Sequence, residues 1–376
     1  MTEVKSHFSD FLKNIRLSKN QVQDLAKGHK TLRKRLLEDE DLSNIVQTTF
    51  LQGSYKRNTA VKPKNGNRSD VDIIVVTNID HKKITPQEAL DMFVPFLDKH
   101  YEGKYEIHSR SIGIELSYVD LDLVITSEIK NEQILNFMKI EDNIIESRLQ
   151  ESLDSDVDFY SYSKVFDNIF NFSNSNKAKD PDPILIPDRD KESWEQTNPL
   201  AQINWTIDKN SNCNSHYINV VKAIKWWKKQ HPEPKYPKGY PLEHFVGEVC
   251  PDGITSVAEG IVEVFEKIVQ DYPTKPVCED HGVRTHDVFE RISDEEYAEF
   301  YELVEDAAKL ARKALDETNN SQSVTDWGEL FGNEFPKSTI PPTVTKDKFT
   351  ERYSPTHQIG SARFGYGSEL SILIRS

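Results

Sequence analysis

Two aspartates two residues apart, Asp70 and Asp72, open an apolar run, Ile73-Ile74-Val75-Val76. On a strand, residues i and i+2 point to the same face, so both carboxylates would face one way. A third acid, Asp122, heads a second such run, Leu123-Val124-Ile125. Three carboxylates from two strands make the hard oxygen cage that magnesium prefers together with phosphates. A metal pair in that cage stabilises the attacking and leaving oxygens of an in-line displacement. The chemistry that this spacing supports is nucleotidyl transfer. Asp-x-Asp by itself more often marks a solvated turn, so the weight rests on the combination. Upstream stands Gln52-Gly53-Ser54, where glycine lets the backbone approach a phosphate and serine offers hydroxyl and amide hydrogens.

Other residues have a functional and a plain reading. Asp120 shares the face of Asp122 and competes for the third place; Asp122, which leads directly into the apolar exit, is favoured, leaving Asp120 as a supporting group or polar rim. Arg57 and Thr59 either support phosphates or cap and solvate their segment. Lys222, Lys225 and Lys229 form a stripe on a helix that also carries Trp226 and Trp227. Such a stripe is usually a solvated face, but a triphosphate needs cations that an acidic chain otherwise lacks, so Lys222 and Lys225 are assigned to phosphate. Tyr240 is placed either on a nucleobase, since every base offers a π-face, or in the core.

The elements that must position these groups follow from periodicity. Residues 10–40 repeat apolar side chains at helical spacing and read as one or two bracing helices. Residues 45–51 are a short strand-like or helical run, and 62–67 is a turn. Residues 71–77 look like a strand buried on both faces. A helix is expected over 87–100, and strands over 105–108, 112–116 and 118–126. The polar stretch 131–193 reads as an extended connection. Helices return near 198, over 216–230, 242–249, 256–269 and 295–318, with a further apolar segment over 325–335. Beyond Pro336 periodicity is lost.

At 376 residues the chain has length for two domains or one bilobal unit. Hydrophobic content is 36% and charged content 29%, and no apolar run approaches the roughly 20 residues of a membrane span. The first residues lack a secretory apolar region, so a cytoplasmic location is expected. Cys213, Cys250 and Cys278 are scattered, odd in number and without C-x-x-C spacing, which implies neither a disulfide framework nor a zinc site. A formal charge of -15 argues against a standing nucleic-acid partner, which needs a basic footprint.

Taken together, Gly53-Ser54, Asp70-Val71-Asp72, Asp122-Leu123-Val124 and Val221-Lys222-Ala223-Ile224-Lys225-Trp226-Trp227 resemble the polymerase β-like nucleotidyltransferase superfamily. Within it they resemble the bacterial cGAS/DncV-like nucleotidyltransferases (CD-NTases). Leu200-Ala201-Gln202-Ile203, 236–243 and 327–335 extend the likeness, in the manner of clade D, to about residue 336. The resemblance implies an α+β bilobal fold: a nucleotidyltransferase core with a helical brace over 1–195, a helical domain over 196–336 like that of oligoadenylate synthetase, and a tail over 337–376. It implies Asp70, Asp72 and Asp122 as ligands of two magnesium ions, with manganese as a substitute. Gln52, Gly53, Ser54, Arg57, Lys222, Lys225 and Tyr240 would contact nucleotide.

The implied activity is synthesis of a cyclic di- or trinucleotide, adenine-containing, from ATP and other nucleoside triphosphates in anti-phage defence. The product would activate an effector protein, and regulatory or conjugating operon partners accompany some relatives. The sequence Ile374-Arg375-Ser376 departs from the small C-terminal residue that conjugation would use. The rival readings are transfer of one nucleotide to a protein or RNA, and a silent nucleotide sensor; the intact set of three acids argues against the latter.

Overall fold

The computed structural model describes residues 4–64, 66–132, 135 and 181–337. They belong to one compact unit, Met1–Ile340. Most of the expected connection over 131–193, and the expected tail apart from Lys337, lie outside the described residues.

Five strands form a mixed sheet: β1 (Val46–Gln52), β2 (Ser69–Thr77), β3 (Tyr105–Ile107), β4 (Ile112–Glu115) and β5 (Val119–Ile125), in the order β1-β2-β5-β4-β3. Only the central pair, β2 and β5, runs parallel among these neighbours. The ambiguous run before Gly53 is therefore a strand, paired antiparallel with β2. Val71, Ile73, Val75, Leu121, Leu123 and Ile125 turn to the main core, where α2 (Lys19–Glu38) covers the sheet. Gly28 makes that contact close, because a Cβ there would stand 2.6 Å from Val119 Cγ1. The opposite face carries Ile74, Val76 and Val124 in a second cluster with Ile184 and Ile186.

Those last two residues belong to an antiparallel pair, β6 (Ile184–Asp188) and β7 (Ser193–Thr197), which corrects the reading of 181–193 as part of an extended connection. Pro183, Pro187 and the flanking acids hide the strand pattern, but Ile184 and Ile186 alternate inward to cover the sheet. Their position matters for the site. The face covered by β6 at Ile74, Val76 and Val124 is the face that bears Asp70, Asp72 and Asp122 toward the strand starts.

The N-terminal pattern resolves into two helices. α1 (Lys5–Ile15) buries Phe8, Phe11, Leu12 and Ile15, and α2 begins at Ser18, whose side chain and that of Gln21 form a reciprocal capping box. α2 braces the sheet as expected, whereas α1 packs into the helical part: Phe8 meets Trp327 edge-on at 4.9 Å between ring centroids, and Phe11 lies 4.5 Å from Phe331. The helix expected over 87–100 is also two, α4 (Pro86–Asp91) and α5 (Val94–Tyr101). Pro95 lacks the N–H that a continuous helix would use and instead occupies the first turn of α5. α3 (Gly53–Lys56) is a single turn.

The helical part comprises α6 (Pro199–Asn212), α7 (Tyr217–Gln230), α8 (Gly239–Val249), α9 (Val257–Asp271), α10 (Asp294–Asp316) and α11 (Asn320–Phe331). α11 begins earlier than the apolar pattern suggested because the Asn319 side chain accepts from the amides of Ser321 and Gln322. Trp227, Phe245, Phe265, Phe289, Tyr297 and Phe300 fill its core. α7 is buried along most of its length, so it can present lysines to a cleft without freedom to swing away. Among the described residues no helix is long and apolar enough to cross a membrane.

Candidate active site

The parallel register pairs Asp70 with Asp120 and Asp72 with Asp122. Because directly paired residues share a face, the carboxylates of Asp72 and Asp122 stand side by side with Asp70 two positions back. Gly53 ends the approach from β1 with φ of +73°, and a Cβ there would lie 1.7 Å from Asp72 Oδ2. Both the backbone conformation and the carboxylate therefore exclude a side chain. Ser54 follows, and its carbonyl accepts from the amides of Thr59 and Ala60, folding 53–60 back over the strand mouth.

The carboxylates strain against one another. Burial raises the Asp72 carboxyl, the charges of Asp70 and Asp122 raise it further, and Arg57 and Lys225 offset only part, leaving it at about 7. Asp122 is also raised, first by burial, with a hydrogen bond from Ser111 and nearby His108 opposing and Asp70 adding to the rise. Among the described residues Asp122 Oδ1 is buried with no hydrogen-bond partner. An orphaned carboxylate oxygen beside two further carboxylates is what a divalent cation would satisfy, so the donor set fits magnesium. Asp120, by contrast, is occupied: Arg68 Nε donates to its Oδ1 at 2.6 Å while Arg68 Nη2 donates to Glu115 at 2.9 Å. The geometry thus separates the two competitors for the third place.

Across a cleft of about 760 Å³, α7 supplies Lys225, Lys228 and Lys229, and other cations, among them Lys64, Arg68 and Arg110, come from elsewhere. Lys225 and Lys229 line this cleft together with Gln52, Ser54, Asp70 and Asp72. Lys225 Nζ donates to the Thr59 carbonyl at 3.0 Å and lies 3.5 Å from Glu243 Oε2. Lys222 is placed differently: its Nζ donates to Asn58 Oδ1 at 3.0 Å, and it is not among the residues lining the cleft. Asn58 has φ of +57°, so Lys222 holds a left-handed residue within the 53–60 turn.

Sequence reasoning assigned no role to Glu243, which organises this corner. It is 2% exposed, accepts from Arg57 Nε at 2.6 Å and from Thr59 Oγ1 at 2.7 Å, and sits beside Lys225. Burial alone would raise its carboxyl, but Arg57 and Lys225, with the hydrogen bonds from Arg57 and Thr59, outweigh that and hold it at about 2. The available signal was a single acid on the buried face of α8 between Leu242 and Phe245. Arg57 is consequently a fixed strut as well as a cleft residue, and its guanidinium also lies 5.1 Å from the Tyr240 ring centroid. Tyr240 lines the cleft, and so do Gln202 and Asp280, which are hydrogen-bonded to each other.

Comparison with known proteins shows the family. Residues 1–136 match the Second Messenger Oligonucleotide or Dinucleotide Synthetase domain. Over 356 residues the chain is 43% identical to the cyclic AMP-AMP-GMP synthase of Enterobacter hormaechei subsp. hoffmannii (strain UCI 50), covering 89% of this chain and 92% of that relative. Over 353 residues it is 45% identical to a probable cyclic AMP-AMP-GMP nucleotide synthase of Salmonella paratyphi B, with the same two coverages, 89% and 92%. Its fold is similar to that of the Bradyrhizobium diazoefficiens CD-NTase CdnG in complex with GTP, with a TM-score of 0.60 at 12% identity over 88% of this chain and 95% of that chain. The protein is a nucleotidyltransferase of the class that synthesises cyclic oligonucleotides. Within that class, the chain belongs to the bacterial cGAS/DncV-like nucleotidyltransferases, the CD-NTases.

Proposed function

We propose that this enzyme joins ATP and GTP into a cyclic trinucleotide of the AMP-AMP-GMP type at the Asp70, Asp72 and Asp122 cluster. The observation that carries the site is the register that sets Asp72 against Asp122 under the Gly53 turn. The relatives' names carry the product. In this reading 1–195 forms the catalytic lobe, 196–336 the helical lobe that closes on it, and 337–376 a tail.

Asp70, Asp72 and Asp122 would hold two divalent ions, magnesium or manganese. When bound, these ions stabilise charge on the attacking and leaving oxygens. The chain's own residues do the rest. Lys225 and Lys229, with Ser54, hold the triphosphate and balance charge as pyrophosphate departs. A ribose hydroxyl of the acceptor nucleotide attacks the α-phosphorus; the new P–O bond forms as the bond to pyrophosphate breaks, and the hydroxyl proton passes to the carboxylate at Asp122. Gln52 and Arg57 shape the loop around the phosphates. Tyr240 offers a ring to a base, and Lys222 acts on phosphate through the Asn58 turn that it holds. The product serves an effector protein in anti-phage defence in the cytoplasm, and the clade D likeness belongs to the same reading.

Incubation with all four nucleoside triphosphates and magnesium, followed by phosphatase treatment and mass spectrometry, tests this. The expected result is a phosphatase-resistant product containing two adenine nucleotides per guanine nucleotide. A nucleotide-modified protein or RNA with no free cyclic product would contradict it.

A further inference from the structure

Away from the carboxylate cluster, α8 and the 278–286 segment bring together His244, Glu248 and His281. Each offers one ligand atom, and the three atoms lie within 4.8 Å of one another. His244 and Glu248 are four residues apart on α8 and so share a helix face. His281 arrives from the loop and is clamped: its ring stacks on Trp205 at 3.6 Å and lies tilted by 30° against His244 at 3.9 Å between centroids. Gly247 permits the clamp, since a Cβ there would stand 2.4 Å from Trp205 Cη2. Glu248 Oε1 pairs with His281 Nε2.

One feature is unsatisfied. His244 is 2% exposed; the Glu279 backbone carbonyl lies near its ring, and among the described residues its Nε2 is buried with no hydrogen-bond partner. Its Nδ1 stands 3.5 Å from the Tyr240 hydroxyl. A buried, unpartnered imidazole nitrogen beside a second imidazole and a carboxylate is the arrangement that a metal ion satisfies.

We propose that His244, Glu248 and His281 form a metal site for a first-row transition ion of the zinc class. Two imidazoles and one carboxylate are a nitrogen-rich set that suits zinc rather than magnesium, whose preference is for oxygen. Tetrahedral zinc, with ligands at about 2.0–2.1 Å, holds its ligand atoms roughly 3.3 Å apart, so the Glu248–His281 contact, 2.5 Å without the ion, opens to admit it, and water takes the fourth position. The ion fastens the loop to α8. That loop supplies Asp280, Val283 and His286 to the cleft wall, and α8 supplies Tyr240; the site therefore fixes the wall opposite the phosphates rather than taking part in nucleotide joining.

The test is titration of metal-stripped full-length protein with Zn2+, and separately with Co2+, read by calorimetry and visible absorption. One equivalent of Zn2+ should bind with sub-micromolar affinity, and Co2+ should give the visible bands of a four- or five-coordinate nitrogen and oxygen site without intense thiolate charge transfer. Glu248→Gln, on the exposed side, should weaken Zn2+ binding by about 100-fold or more, and His281→Ala should do the same. The Asp70→Asn/Asp72→Asn variant should bind as well as the wild type. Absence of Zn2+ uptake, uptake unchanged in both Glu248→Gln and His281→Ala, uptake lost in Asp70→Asn/Asp72→Asn, or a thiolate band would each overturn the proposal.

Discussion

Replacing Asp72 by asparagine is expected to stop nucleotide joining while raising the thermal stability of the metal-free protein. The two effects share one cause. Asp72 is pressed against Asp70 and Asp122 in a partly buried site, and its carboxyl is raised to about 7. A group whose native pKa lies above its unfolded value stabilises the fold while protonated; that contribution is complete below the unfolded value near 3.8 and is lost as pH rises through about 7. At pH 8 the wild type carries the full repulsion and the Asp72→Asn variant does not. The variant should gain roughly 1–3 kcal/mol, a rise of several degrees in melting temperature. The gain should shrink toward pH 5 and disappear when magnesium and nucleotide are added, because cations relieve the same repulsion. Activity should fall on the order of 10³-fold. Scanning calorimetry of both proteins from pH 5 to 8 checks this; equal melting temperatures at pH 8, or a destabilised variant, would mean that the carboxylates do not oppose one another as described.

Glu243→Gln should have the largest effect on stability. Glu243 is the buried counter-ion of Arg57 and Lys225 beside the cleft, and its removal leaves two cations without it. Breaking a buried ionic network from one side costs about 3–5 kcal/mol. With its carboxyl held at about 2, the group contributes its stabilisation fully above the unfolded value near 4.5, and the contribution is lost only as pH falls through about 2. The deficit should therefore be present throughout the neutral range, and urea unfolding at pH 7 should show a lower midpoint with an unchanged slope. Activity should fall with it, since the anchoring of Thr59 to Lys225 depends on the same carboxylate. A wild-type midpoint would show that Arg57 and Lys225 find other partners.

Much of the candidate carboxylate face was legible in the sequence. Asp70, Asp72 and Asp122 stand at the heads of unbroken β-branched or aliphatic runs, and a two-residue period on a strand fixes which way they point. What periodicity does not encode is pairing between distant segments. The register that sets Asp122, not Asp120, beside Asp72 and leaves Asp120 to Arg68 is a tertiary fact. The same limit applies to the lysines. Their spacing put Lys222 and Lys225 on one stripe, but the packing of α7 against the 53–60 turn sends Lys222 to Asn58 and leaves Lys225 at the cleft. The β6 and β7 pair was missed because prolines and acids interrupt the short run that covers the sheet. Glu243 was missed because a lone acid in a helix looks solvated until its partners, Arg57 and Thr59, arrive from more than 180 residues away in the chain.

The central claim is that Asp70, Asp72 and Asp122 hold the divalent ions between which nucleotides are joined. Crystals grown with Mn2+ and a nonhydrolysable ATP analogue, measured for anomalous scattering at the manganese edge, test it most directly. The predicted result is anomalous density about 2.0–2.3 Å from carboxylate oxygens of all three aspartates, with the triphosphate reaching from that density toward Lys225. Nucleotide bound in the cleft with no anomalous density at the three aspartates would contradict it.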